Sequence, residues 1–218
     1  TYCDNLAFHP NYSTSDRSIA WQIEEGIVFH KNRYRVDDEK LDYLAELARK
    51  HVVIIEYGIE SCYDKTLERI NRGHTFAQAQ EAVKKTAERG IHQGAHFILG
   101  LPGESREEML AMAPLINSLP IDSVKFHQLQ IVKGTKMEKE FAQRPEEFVT
   151  FPLEGYIDFF IDLLEHLRPD LYIERFVGEV PPRFVNSTPW GLIRNVELLR
   201  MLETRLEERD TWQGRLHD

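Results

Sequence analysis

The residues best suited to chemistry fall in one stretch, VVIIEYGIESCYDKTLERINRGH, at positions 52 to 74. It opens with Val52, Val53, Ile54 and Ile55, a β-branched run too continuous to alternate. Such a run predicts a strand buried on both faces, as in a parallel sheet covered by helices. Glu56, Glu60 and Ser61 come where that strand should end. Carboxylates are costly in a core, and the carboxyl ends of parallel strands are where α/β folds keep their ligands. A polar helix start at Asp64 follows, closed by Asn71, Arg72, Gly73 and His74. Acids at a strand tip and a guanidinium after a short helix make an edge that can bind a small molecule. Arg72 can clamp a carboxylate through two parallel hydrogen bonds, or simply complement a helix C-terminal dipole. Glu56 can pair with a basic residue on the same inner surface. The acids could also serve with a lysine as acid/base groups of a barrel lyase or aldolase, although no strand tip supplies a convincing set.

Two further stretches carry polar residues at strand ends. In IHQGAHFILGLPGES, positions 96 to 101 predict a strand, and Gly100, Pro102 and Gly103 a tight turn. His96, in an apolar strand, is either a satisfied core residue or a ligand contact. In IDSVKFHQLQIVKGT, Val124, Phe126 and the run from Leu129 to Val132 are interspersed with Lys125, His127 and Gln130. Lys125, His127 and Lys133 face either a binding mouth or a solvated edge.

The elements that must position these groups are legible from caps and periodicity. Thr75 with Gln78 and Ser105 with Glu108 form capping-box patterns, and Gly90 ends the first of these helices. The helix from 106 carries Met109, Met112, Ala113 and Ile116, with Pro114 predicting a kink. Helices are also predicted over 16–34 and 37–50, the second capped near Asp37 or Asp38. Only Arg35 and Val36 separate them, with no strand, although parallel strands need crossovers. From Thr150 the texture changes: an amphipathic helix from Pro152 to Leu167, a short strand in LYIERFVGEVPPRF, and a final helix from Thr188-Pro189 bearing Ile193, Val196, Leu199, Leu202 and Leu206. Arg175 and Arg183 are candidate substrate contacts.

Composition bounds the function classes. The chain has 218 residues, enough for one core with a small appendage, and is 42% hydrophobic and 29% charged. A net charge of −9 argues against broad nucleic-acid binding driven by phosphate contacts. It does not exclude a local basic groove. Two cysteines, Cys3 and Cys62, do not make a disulfide scaffold, and no apolar run matches a membrane span. A cytoplasmic protein is expected.

Several of these motifs together resemble the radical S-adenosylmethionine (SAM) enzymes. The nearest branch contains the coproporphyrinogen dehydrogenases, the Elongator catalytic subunit and bacterial proteins of the YhcC type. GIES followed by INRGHT resembles the fourth strand and next helix of that barrel, HFILGLPGE its fifth-strand motif, and IDSVKFHQLQIVKGT its sixth strand. TYCDN at the start resembles the tail of the motif whose three cysteines hold a four-iron four-sulfur cluster. The resemblance implies an α/β fold: a partial (β/α)6 TIM-like barrel over 1–149 lacking its N-terminal strands, with an α+β C-terminal extension over 150–218. Three strands are expected, near 51–60, 92–101 and 123–132. It also implies a segment skipped between Arg35 and Val36, and two cluster cysteines preceding Thr1. By the same resemblance Cys3 ligates the cluster and Tyr2 is the aromatic residue before it. Glu60 bonds the SAM ribose or methionyl group, and Arg72 pairs with its carboxylate. His96 faces the ribose or adenine, Ile98 and Gly100 pack on the adenine, and Ile131 closes over it. The implied activity is reductive cleavage of SAM to a 5′-deoxyadenosyl radical, with a flavodoxin- or ferredoxin-type electron donor, on an unknown substrate. RNA is possible but not favoured by the net charge. A cluster-deficient fragment or SAM-binding scaffold is the alternative.

Overall fold

The computed structural model describes residues 37–178, 180–185, 190 and 193–217. Tyr2, Cys3, the helix expected over 16–34 and the junction at Arg35–Val36 lie outside the described residues. Helix α1 spans Asp38–Ala48, and the Asp37 carboxylate accepts the Glu39 N–H at its start. Then come β1 (Ile54–Glu60), α2 (Asp64–Arg69), α3 (Phe76–Ala87), β2 (His92–Leu99), α4 (Arg106–Leu110), α5 (Ala113–Asn117) and β3 (Ser123–Gln128). The chain continues through α6 (Lys136–Gln143), α7 (Leu153–His166), β4 (Tyr172–Arg175) and α8 (Asn195–Glu208). Both capping boxes form, at Thr75/Gln78 and Ser105/Glu108.

The described strands make one parallel sheet in the order β1-β2-β3-β4, a partial α/β barrel wall. Register puts alternate residues on opposite faces. Tyr57, Ala95, Phe97, Val124 and Phe126 turn toward the helices. There Phe97 and Phe126 are fully buried, with Phe126 edge-on to Phe160 of α7 at 5.3 Å between ring centres. Tyr156 is also fully buried and donates its hydroxyl to the Phe176 carbonyl at 2.7 Å. That bond satisfies a phenol that otherwise has no place in an apolar core. The other, inner face carries Glu56, Gly58, Gly94, His96, Ser123 and Lys125.

Several expectations need correction. The first strand is not buried on both faces, since Val52 is 84% and Ile54 56% exposed. β1 is the edge strand of the described sheet, and its outer face meets a helix through the Tyr57 hydroxyl and Thr86 of α3 at 2.7 Å. The helix from 106 does not merely kink; it divides into α4 and α5, with Pro114 in the first turn of α5, where a missing N–H costs nothing. β3 stops at Gln128 rather than running to Val132. The short strand in LYIER joins the same sheet, beside β3. α6 was not predicted, although Thr135 accepts the Glu138 N–H as an N-cap does. The final helix starts at Asn195 and buries Leu198 and Leu202, while Val196 is 62% exposed.

Candidate functional site

β1 ends in an irregular register. Gly58 pairs with His96 but Glu60 with Phe97, and Glu60 takes a φ of 72°. A non-glycine residue in left-handed backbone costs on the order of 1 kcal/mol or more, and such positions concentrate at functional sites. The bulge and the unusual φ together aim the Glu60 carboxylate into a cleft at the carboxyl ends of β1 to β3. That cleft has a volume of about 320 Å³. Glu60 and His96 line it with Ile98, His127, Gln130 and Gly178.

Arg72 stands at the margin. Its Nε donates to the Gly58 carbonyl at 3.0 Å, a second guanidinium nitrogen donates to the same oxygen, and the group pairs with Glu60 at 3.5 Å. A Cβ on residue 58 would lie 2.4 Å from that nitrogen, so glycine at this position makes room for the guanidinium. His74 Nε2 also reaches the Gly58 carbonyl, at 3.2 Å. Burial pushes the Glu60 carboxyl above the usual range, with Arg72 and His96 pulling it partly back.

His96 and His127 form a pair, ring centres 5.6 Å apart. Burial depresses both, and it holds His127 at about 4, helped by His96, Arg175 and Lys125. Both imidazoles are therefore neutral at pH 7. The 3.4 Å approach of His96 Nε2 to Glu56 is then a dipole–charge contact rather than an ion pair.

Deeper on the inner face, Lys125 is held between Glu56 and Glu174, the second at 3.2 Å, and Ser123 hydrogen-bonds Glu174. Glu56 thus has its basic partner. Behind the β1 tip, Ser61 is fully buried and donates to Glu104 at 2.5 Å while accepting the Tyr63 N–H at 3.0 Å. This buried pair braces the turn just after Glu60.

The structure thus brings Glu60, Arg72, His96 and Ile98 together. Gly100 and Ile131 are not part of the cleft lining. Gly100, with φ 89°, is pressed against the Val149 carbonyl, where a Cβ would come within 2.9 Å. Ile131 is half-buried against the core. Arg183 stacks on Phe184 at 4.7 Å. His127, which the sequence leaves between a binding mouth and a solvated edge, lines the cleft, and Gln130 and Gly178 are further lining residues that the sequence does not point to. The alternation in SVKFHQ is what points to His127; for Gly178 no such cue exists, because β4 brings it from far along the chain. Cys62 is buried and its thiol pushed well up by burial, so it is a poor thiolate ligand. Among the described residues no group of three His, Cys, Asp or Glu side chains could hold a metal, and no helix is long and apolar enough to cross a membrane.

An α/β sheet with a cleft at its strand tips is the arrangement in which barrel folds place small-molecule sites. The Radical SAM superfamily model matches residues 16–116 and the Radical_SAM C-terminal domain model residues 121–208. The chain belongs to the radical SAM superfamily. An uncharacterised protein from Methanocaldococcus jannaschii is 36% identical over 200 residues, covering 91% of this chain and 62% of that protein. YtqA of Bacillus subtilis is 32% identical, covering 82% of this chain and 54% of its own. Protein YhcC of Escherichia coli is 36% identical over 64% of this chain and 45% of its own. The chain thus spans about half the length of these relatives. In fold it is similar to the archaeal Elp3 of Methanocaldococcus infernus, with a TM-score of 0.65 at 19% identity over 78% of this chain and 39% of that one.

Proposed function

We propose that the cleft at the tips of β1 to β3 holds SAM, and that the complete protein uses it with a four-iron four-sulfur cluster in radical chemistry on a further substrate. The observation that carries this reading is the juxtaposition of Glu60 and Arg72 at one end of a cleft whose wall includes Ile98. SAM has an amino-acid end that carries both charges and a flat base, and the cleft is divided in the same way. Arg72, its plane anchored on the Gly58 carbonyl, suits the methionyl carboxylate. Glu60 suits the ribose hydroxyls or the methionyl group. His96, neutral and half-buried beside Ile98, offers a hydrogen bond without adding charge next to the sulfonium.

When bound, the cluster would supply the electron for reductive cleavage of SAM. Cys3 is the thiolate this chain would contribute, next to Tyr2, and an electron donor of the flavodoxin or ferredoxin type would serve it. The residues of the strand tips orient SAM and limit the access of water. The test is iron and acid-labile sulfide content after oxygen-free reconstitution, followed by 5′-deoxyadenosine release from SAM under reduction. About four irons per chain with nucleoside release is the expected result. Iron-free protein that releases none contradicts it and favours a SAM-binding scaffold.

A further inference from the structure

Among the described residues, the sheet holds the tip of β1 on one side only. β1 is its edge strand, the register slips between Gly58 and Glu60, and Glu60 takes left-handed backbone that a non-glycine residue adopts at a cost. The next residue supplies an anchor. Ser61 is fully buried, its hydroxyl donates to Glu104 Oε1 at 2.5 Å, and the same oxygen accepts the Tyr63 N–H at 3.0 Å. Glu104 comes from the turn after β2, and that turn is itself fixed. Gly103, in left-handed backbone, donates its N–H to the Glu147 carbonyl at 2.8 Å, and Glu104 donates its own to the Leu101 carbonyl at 3.2 Å. One hydrogen bond thus ties together the tips of two neighbouring strands, next to a residue that lines the cleft.

Glu104 is a costly residue for packing alone. It is 2% exposed, and its Oε2 is buried without a hydrogen-bond partner. Lys65, whose charge reaches it, is bonded to Glu108 instead. Burial pushes the Glu104 carboxyl above its usual range, and the Ser61 bond pulls it partly back. An apolar pair of the same shape would fill the space with little or no loss of stability. Positioning is what the bond contributes beyond that. We infer that Glu104 is a positioning residue for the cleft: through the Ser61 hydroxyl it fixes the peptide after Glu60 and so keeps the Glu60 carboxylate turned toward the ligand. Glu104 is not itself part of the cleft lining, so it acts only through its neighbour. The identity of the ligand rests on the SAM reading.

The probe is S-adenosylhomocysteine, titrated calorimetrically into the full chain without reductant, in a cycle of variants at Glu104 and Glu60. Glu104→Leu should weaken binding by about tenfold, the loss expected when a buried hydrogen bond is removed. Glu104→Gln keeps an acceptor for Ser61 and matches the protonated acid in shape, so it should stay within about threefold of wild type. Glu60→Asn accepts the same backbone but lacks the charge and the reach. In that background Glu104→Leu should change affinity by less than about twofold, while still lowering the thermal midpoint. Equal weakening with and without Glu60 would make Glu104 a structural residue only and overturn the inference. Unchanged affinity in Glu104→Leu would overturn it too. Where Glu104→Leu does not fold, Ser61→Ala removes the same bond and takes its place in the cycle. A wild type that does not bind S-adenosylhomocysteine contradicts the SAM reading and removes the inference with it, whereas binding without coupling contradicts the inference alone.

Discussion

The two faces of the sheet are made of neighbouring residues on the same strands, and they obey different physics. On the helix side, Phe97, Val124 and Phe126 have no exposed surface and pack by shape. One residue away, on the inner side, His96, Lys125 and Glu56 are partly solvated and linked by charge, with Lys125 16% and Glu56 42% exposed. The outer face holds the barrel wall together. The inner face tolerates unpaired lone pairs, strained backbone at Glu60 and neutral histidines, features that cost stability and are retained where a ligand binds. Stability and function are thus divided by strand parity rather than by region of sequence.

Substitutions on adjacent residues break that division most sharply. Phe126→Ala should cost about 3–5 kcal/mol, because the Phe160 and Phe97 contacts leave a cavity that the sheet cannot close. Lys125→Met, one step along the strand, should cost only about 1 kcal/mol, since Glu56 and Glu174 can both hydrate once unpaired. Urea unfolding with unchanged m-values measures both. Equal losses would mean that the inner face is core after all.

A smaller effect is expected from pH. The His127 ring stays neutral down to about 4 in the folded protein, whereas the unfolded chain takes up a proton near 6.5. Folding stability contributed by keeping this ring neutral is therefore present at pH 7 and is lost as pH falls from about 6.5 to 4. Glu60 and Glu104, raised by burial, act in the opposite direction on acidification. The readout is thus the difference between wild type and His127→Gln, which should show a shallower decline over that window. Parallel curves would mean the ring is solvated.

Much of this was legible in the sequence where interactions are local. The capping boxes at Thr75 and Ser105 need three residues each, and the β1 tip with Arg72 sits within one stretch. Ile54 misled because a β-branched run says nothing about whether the strand has a covered second face. Gly100 misled because its turn, once folded, meets the Val149 backbone instead of the cleft. The hydrogen bonds of Gln128 and Gln130 with Gly178 join residues some 50 positions apart, and no local pattern encodes such a contact. Arg72 was read as either a helix-end cation or a ligand clamp. Its bonds to the Gly58 carbonyl and to Glu60 bring it to the site while leaving its charge at the cleft margin.

The central claim, that the Glu60–Arg72 edge receives the amino-acid end of SAM, is tested most directly by comparing two ligands on one variant. S-adenosylhomocysteine carries the carboxylate and 5′-deoxyadenosine does not. Arg72→Met should weaken the first by about tenfold or more, the loss expected of a charge-assisted pair, and leave the second within about twofold. Equal weakening of both, or no effect on either, would contradict the account.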